Sequence, residues 1–394
     1  MIDRIINKFF NSIYILYAWL SAKYLSFVVK PSNNETSVKK ILAIPFYPKH
    51  YAGGHERIGD WKTYIENENV QYDVHWTYDE TFYKTNLLSK SVFKRYKFYF
   101  AVTKDRVRLA KTFHKYDAIW IQRAFIPIFP FKKGVFETHL KKHGNIIYDF
   151  YDADYESNYE LVVDTIKSGQ KITVASEFLL DFCKKFNANS FYIPFSFNYE
   201  KYEVKKYPDL NDIIIGWAGS PSNFENVKKI APHLIKLENE NENVKFLFIC
   251  RDKTDLGLAR VSQLSWEDDN FDYLSSLKKI DIGINPMLKD DNRTRAKVSF
   301  KCLEYMSMGL AFATSPHGIP KGLVHKENCL LVQNNDLWFD ALNEMVKNKE
   351  ALKNLGEKSR LLIEQNYSYK NNSLALIKIL LPEKKELDAR NNNK

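Results

Sequence analysis

The sequence predicts an α/β protein built from two doubly wound domains, with an apolar helix in front of them. Three observations carry this. Short apolar runs bounded by turn residues alternate with helical patterns along the chain, as parallel sheets with crossover helices require. The alternation breaks near residues 200–210 and then starts afresh, so there are two sets of strands. The length of 394 residues is enough to bury two full cores.

The first set of predicted strands covers 41–47, 70–76, 117–123, 146–150, 172–176 and 191–194, after a polar stretch at 31–40. The second set covers 213–219, 244–250, 281–285, 310–314 and 330–332. Helices are predicted over 226–237, 271–278, 300–308 and within 336–365. Both sets read as Rossmann-like, and two such domains facing each other enclose an inter-domain cleft. The division that follows is an apolar helix at 1–30, a first domain at 31–205, a second at 206–365, a last helix at 366–381 and a tail at 382–394. Lysine and asparagine dominate the tail, which is expected to be disordered.

The formal charge of +10 suits anionic partners without choosing among them. Nucleic acid is not expected, because no helix-turn-helix, RNP-type or zinc module accompanies the charge. Cys183, Cys250, Cys302 and Cys329 are scattered with no CxxC pair, which argues against zinc or a disulfide framework and for a reducing compartment. In residues 1–30 the longest uncharged run, 9–22, is shorter than the roughly 20 residues a spanning helix needs. No small-residue cleavage site follows it, so a signal peptide is not expected. A helix lying in the headgroup layer fits best, beside two other readings: a single-pass anchor, or a helix packed on the protein itself. If the helix spans, Lys23, Lys30, Lys39 and Lys40 outnumber Arg4 and Lys8, which keeps the body cytoplasmic. The expectation is therefore a cytoplasmic protein, peripheral on the membrane.

The most informative segment is 295–318. Arg295, Lys297 and Lys301 crowd the start of a helix, where the macrodipole disfavours positive charge. Cations belong there if an anion binds among them. Glu304 follows Lys301 by one turn, near the same face. A phosphate at the helix start and a sugar hydroxyl at Glu304 account for the arrangement, so the segment reads as a nucleotide-sugar site. A second turn, Trp217-Ala218-Gly219-Ser220-Pro221-Ser222, joins a strand to a helix through small residues that let backbone amides approach phosphate.

From residue 41 to about 367 the chain resembles the retaining, GT-B-fold glycosyltransferases of family 4 (glycosyl transferases group 1). Pro45 with Gly53-Gly54-His55-Glu56-Arg57, then Tyr148-Asp149-Phe150-Tyr151-Asp152-Ala153, match blocks of its first domain. Residues 215–222, 281–286 and Lys301-x-x-Glu304-Tyr305-Met306-x-x-Gly309-Leu310 match blocks of its second. The resemblance implies a sugar transfer from a UDP- or GDP-linked donor to a glycan or glycolipid, in cell-surface polysaccharide biosynthesis. It implies that Glu304 grips the donor ribose, that Gly219, Ser220, His317 and Gly318 border the donor, and that Trp266 falls near the base. Ser220 stands where the family has an arginine, so Arg295, Lys297 and Lys301 are expected to neutralise the diphosphate. Ala296 stands where the family has its first glutamate, which removes a carboxylate from the transferred sugar. Gly53, Gly54 and Arg57 are expected at phosphate or acceptor, and Asp152 and Arg123 in the cleft as the catalytic candidates. The last helix is expected to cross back to the first domain. No cofactor and no metal are expected, since basic side chains and a helix N-terminus take the metal's place. Two other readings stay open: a GT-B epimerase or phosphorylase, and a degenerate transferase that only binds nucleotide.

Overall fold

The computed structural model describes residues 2–34, 36–126, 133–207 and 211–381. The tail predicted over 382–394 lies outside them. The chain forms two compact units, one running to Ser196 and including the last helix, the other Phe197–Ser368.

Unit 1 contains α1 (Ile2–Val28), β1 (Lys39–Ile44), α2 (Trp61–Glu66), β2 (Val70–Val74), α3 (Val92–Ala110), β3 (Ala118–Gln122) and β4 (Ile146–Phe150). It continues with α4 (Tyr159–Ser168), β5 (Lys171–Val174), α5 (Glu177–Lys184) and β6 (Ser190–Tyr192). Every strand pairing is parallel, in the order β2-β1-β3-β4-β5-β6. β3 and β4 are buried along their whole length, which is why they read as continuous apolar runs rather than as alternation.

Unit 2 contains β7 (Ile213–Ala218), α6 (Pro221–Glu240), β8 (Val244–Ile249), β9 (Val261–Leu264), α7 (Tyr273–Leu277) and β10 (Ile282–Asn285). Then follow α8 (Asn292–Ala296), α9 (Phe300–Ser307), β11 (Ala311–Thr314), β12 (Leu330–Leu331), α10 (Trp338–Lys347) and α11 (Lys349–Asn366). Its sheet is also parallel, in the order β12-β11-β10-β7-β8-β9. The order reverses between β7 and β10, and crossovers leave that point in opposite directions. Ligands of doubly wound sheets bind beyond the carboxyl ends of the strands at such a point.

Four elements differ from the sequence reading. β9 is a half-buried edge strand whose Val-Ser-Gln-Leu lacks an apolar run. α6 starts at Pro221, five residues before the predicted start, because proline fits the first helical position and lacks only an N–H that would be unpaired there. α8 occupies a stretch read as loop, and Asp291 starts it by accepting the Thr294 N–H at 2.8 Å. Residues 197–207 belong to unit 2, tied there by Phe197 N–H to the Tyr367 carbonyl at 2.7 Å and Lys205 N–H to the Met308 carbonyl at 2.7 Å.

The last helix, α12 (Tyr369–Leu380), packs in unit 1. The Tyr369 hydroxyl donates to the Glu56 carbonyl at 2.6 Å, and its ring stacks on Tyr64. α1 lies against α3: Tyr14, Ala18, Ala22 and Leu25 are buried, and the Tyr14 hydroxyl is 2.7 Å from Thr103 Oγ1. No described helix is long and apolar enough to cross a membrane.

Candidate functional site

At the point where unit 2's strand order reverses, three segments converge: the ends of β7 and β10 and the start of α9. A cavity of about 180 Å³ opens there, lined by Trp217, Asn223, Asn285, Lys297, Ser299 and Lys301 among others. That is smaller than the ~300–1,000 Å³ of a whole small-molecule site, and suits one portion of a larger ligand.

Its floor is a polar network. The Asn285 side chain donates to Thr314 Oγ1 at 2.9 Å and accepts from Ser299 Oγ at 3.1 Å. The Ser299 N–H donates to the Gly318 carbonyl at 2.8 Å, which fixes the approach to α9. Gly318 has φ +63°, and a Cβ there would lie 2.5 Å from the Thr294 carbonyl oxygen. Its backbone, rather than a ligand contact, explains the glycine.

Lys301 reaches back from the first turn of α9 over β7's end. Its Nζ stands 4.9 Å from the centre of the Trp217 ring, and a Cβ on Gly219 would fall 2.8 Å from its Cε. Gly219 therefore makes room for this lysine. Lys301 makes no hydrogen bond to any described residue. Burial pulls its ammonium below the ordinary lysine pKa, and the Glu304 charge offsets only part of that. A cation held against a ring, beside helix N–H groups, is a place an anion can complete.

Glu304 is part-buried on the next turn. The Tyr273 hydroxyl donates to its two carboxylate oxygens, at 2.9 and 3.0 Å, and the Tyr202 hydroxyl donates to one of them at 3.3 Å. Burial pushes its carboxyl pKa up, and the Tyr273 bond and the Lys301 charge work against that. A carboxylate offers about four acceptor sites, so capacity for a diol is left. Neither tyrosine was singled out from sequence. Tyr202 is 102 positions away and Tyr273 is 31, and no local spacing links them to Glu304.

The other predicted donor residues divide. Lys297 lines the cavity. Arg295 does not join it: the guanidinium is exposed and donates to Asp290 at 2.6 Å. This corrects the expectation that all three cations act together. His317 Nδ1 lies 3.5 Å from the same aspartate. Ser220 is the N-cap of α6, its hydroxyl 3.1 Å from that of Ser222. Trp266 is 40% exposed, just after β9. Ala296 is fully buried in α8, so at the family's carboxylate position this chain has a core methyl.

In unit 1, Arg57 is not available to a ligand, against the expectation. It is 1% exposed and sits on Asp149 through two nitrogens, Nε at 3.0 Å and Nη2 at 2.7 Å. Nη1 donates to the Ile193 carbonyl at 2.7 Å. Thr173 adds its hydroxyl to Asp149 at 2.6 Å. The group is a paired, hydrogen-bonded interior charge. Gly53 and Gly54 also have packing reasons: a Cβ at Gly53 would lie 2.3 Å from the Tyr151 hydroxyl, and one at Gly54 2.9 Å from the Pro48 carbonyl.

Arg123 and Asp152 are brought together at the carboxyl ends of β3 and β4. Arg123 has φ +65°, rare for a side chain of its size. It donates from Nη2 to Asp152 at 3.0 Å and pairs through Nη1 with Asp154 at 3.0 Å. The rings of Phe46, Tyr47 and Tyr151 surround it at 4.7–5.4 Å. Burial pulls its pKa down, but Asp154, the two tyrosines and Asp152 together hold it above the ordinary value. Asp152-Ala153-Asp154 is an Asp-x-Asp triplet, which corrects the expectation from sequence that the chain has none, and both carboxylates hold this guanidinium. Among the described residues there is no group of three or more His, Cys, Asp or Glu side chains placed to hold a metal.

No protein-family model and no curated protein matches the chain. Solved structures do. Sucrose-phosphate synthase from Thermosynechococcus elongatus is 12% identical, with TM-score 0.62 over 89% of this chain and 100% of that one. HepE of Anabaena, in complex with UDP-glucose, is 12% identical, with TM-score 0.59 over 86% of this chain and 99% of that one. A glycosyltransferase from Rickettsia africae is 12% identical, with TM-score 0.60 over 88% and 100%. The chain thus has the GT-B fold.

The buried pair makes a stability prediction. Asp149→Ala strands the Arg57 charge and is expected to cost about 3–5 kcal/mol in urea unfolding. A cost below about 1 kcal/mol contradicts the pairing.

Proposed function

We propose that the protein is a glycosyltransferase. It moves a sugar from a nucleotide-diphosphate-sugar donor, UDP- or GDP-linked, to a hydroxyl of a glycan or glycolipid, in cell-surface polysaccharide biosynthesis. The observation that carries the reading is Lys301, a part-buried cation at the strand-order reversal of unit 2 with no hydrogen-bond partner among the described residues. The UDP-glucose bound to HepE, a protein of the same fold, supports a donor of that class.

In this reading Lys301, Lys297 and the N–H groups of α9 take the diphosphate. They hold it more tightly as it leaves and gains charge, which is where electrostatic catalysis acts. Charge-assisted hydrogen bonds from the ribose diol go to Glu304, whose orientation Tyr273 and Tyr202 fix. Trp266 is the candidate stacking partner for the base, and His317 borders the donor through its turn. On unit 1, Asp152 is the candidate to accept from the incoming hydroxyl, with Arg123 positioning it. Cation and helix charge supply what a metal supplies elsewhere, so turnover is metal-independent, with retention at the sugar carbon. The protein works in the cytoplasm, peripheral on the membrane.

Two outcomes check this. Lys301→Met is expected to weaken UDP or GDP binding about tenfold or more by calorimetry, since a hydrogen bond to a charged group contributes about 1.5–3 kcal/mol. Only the ammonium form attracts the diphosphate. Wild-type affinity should therefore fall as pH rises through a lysine pKa below the ordinary one, and the variant should lose that dependence. Equal affinities contradict the assignment. Second, sugar transfer should persist in EDTA; complete loss restored by Mn²⁺ contradicts metal independence.

A further inference from the structure

Helix α1 is apolar on two sides. One side is buried on unit 1 through Tyr14, Ala18, Ala22 and Leu25. The other carries Ile6, Phe9, Ile13, Leu16, Leu20 and Phe27 at helical spacing, all exposed, Leu16 at 58% and Phe27 at 79%. So long an apolar stripe facing water marks a docking surface.

What docks there follows from the neighbouring helix. α3 runs alongside α1: the Phe93 ring lies 5.9 Å from Phe10 near their starts, and Lys111 Nζ stands 5.4 Å over Tyr24 near their ends. Between these points α3 presents Lys97, Lys104 and Arg108, exposed and on one stripe with Lys111. None of the four is in an ion pair with a described residue. The acidic residue in their midst, Asp105, is bonded to His75 at 2.6 Å. On α1 itself, Lys23 Nζ stands 4.1 Å over Trp19.

We propose that the α1–α3 face is a docking surface for an anionic lipid bilayer. The α1 stripe enters the headgroup–acyl boundary and the α3 cations meet lipid phosphates. A second copy of the chain fits less well, because pairing the face with itself would bring two cation rows together, with only Asp105, which His75 already engages, among them. In this proposal α1 lies along the bilayer, its exposed apolar stripe turned toward the acyl chains. This deepens the peripheral location proposed above and does not depend on the transfer chemistry.

The test is flotation of the full chain with phosphatidylcholine vesicles, with and without phosphatidylglycerol. Wild type is expected to float with the anionic vesicles. Leu16→Glu/Leu20→Glu and Lys104→Glu/Arg108→Glu should each weaken partition about tenfold or more, since one basic residue near the surface contributes about a factor of five. Thermal melting and UDP affinity should stay those of wild type. Binding that both variants retain overturns this face while keeping the peripheral location. No binding to anionic vesicles overturns both. A dimer dissolved by Leu16→Glu/Leu20→Glu, without vesicle binding, assigns the face to a second copy and overturns the proposal.

Discussion

Lys301 holds a positive charge where the protein alone does little to stabilise it. Burial opposes that charge, and the helix that carries it points its positive end the same way. The neighbours give a ring face, and a carboxylate on the next turn that Tyr273 and Tyr202 already engage. Much of the local architecture exists to keep the lysine there. Gly219 leaves space for its stem, and Asn285, Ser299 and Gly318 fix the start of its helix. In the proposed function, the diphosphate supplies the counter-charge that this arrangement lacks.

The other interior cations make the comparison instructive. Arg57 and Arg106 are buried more deeply, yet both are satisfied, Arg57 by Asp149 and carbonyls, Arg106 through Nη2 by the Pro45 carbonyl at 3.0 Å. Arg57 ties its segment to β4, and Arg106 ties α3 to the loops around Pro45 and Phe125. Arg123 lies between these cases. It holds two carboxylates, but its Nε is buried without a hydrogen bond to any described residue and its backbone is in the left-handed region. That residual strain is why it stays among the candidates for the acceptor side.

Much of the fold was legible because parallel strands buried on both faces write themselves as apolar runs; 117–123 and 146–150 are examples. The edge strand β9 was not, since one polar, half-buried turn of chain looks like loop. At the candidate site, Lys301 and Lys297 were expected together because they share one short helix and its approach, and both line one cavity. Tyr202 and Tyr273 were not, because tertiary packing alone brings them to Glu304. Arg57 was misread for the same reason. A glycine-flanked arginine looks like an anion site until Asp149, 92 positions away, proves to be its partner. The two-sided character of α1 was hidden too, since an apolar sequence does not say which face a neighbouring helix takes.

Where a nucleotide diphosphate sits is the central question, and a structure with UDP bound tests it most directly. Diphosphate oxygens are expected about 2.7–2.9 Å from Lys301 Nζ at the start of α9, and ribose hydroxyls on Glu304. A nucleotide bound elsewhere, with Lys301 still over Trp217 and no oxygen beside it, would contradict this placement.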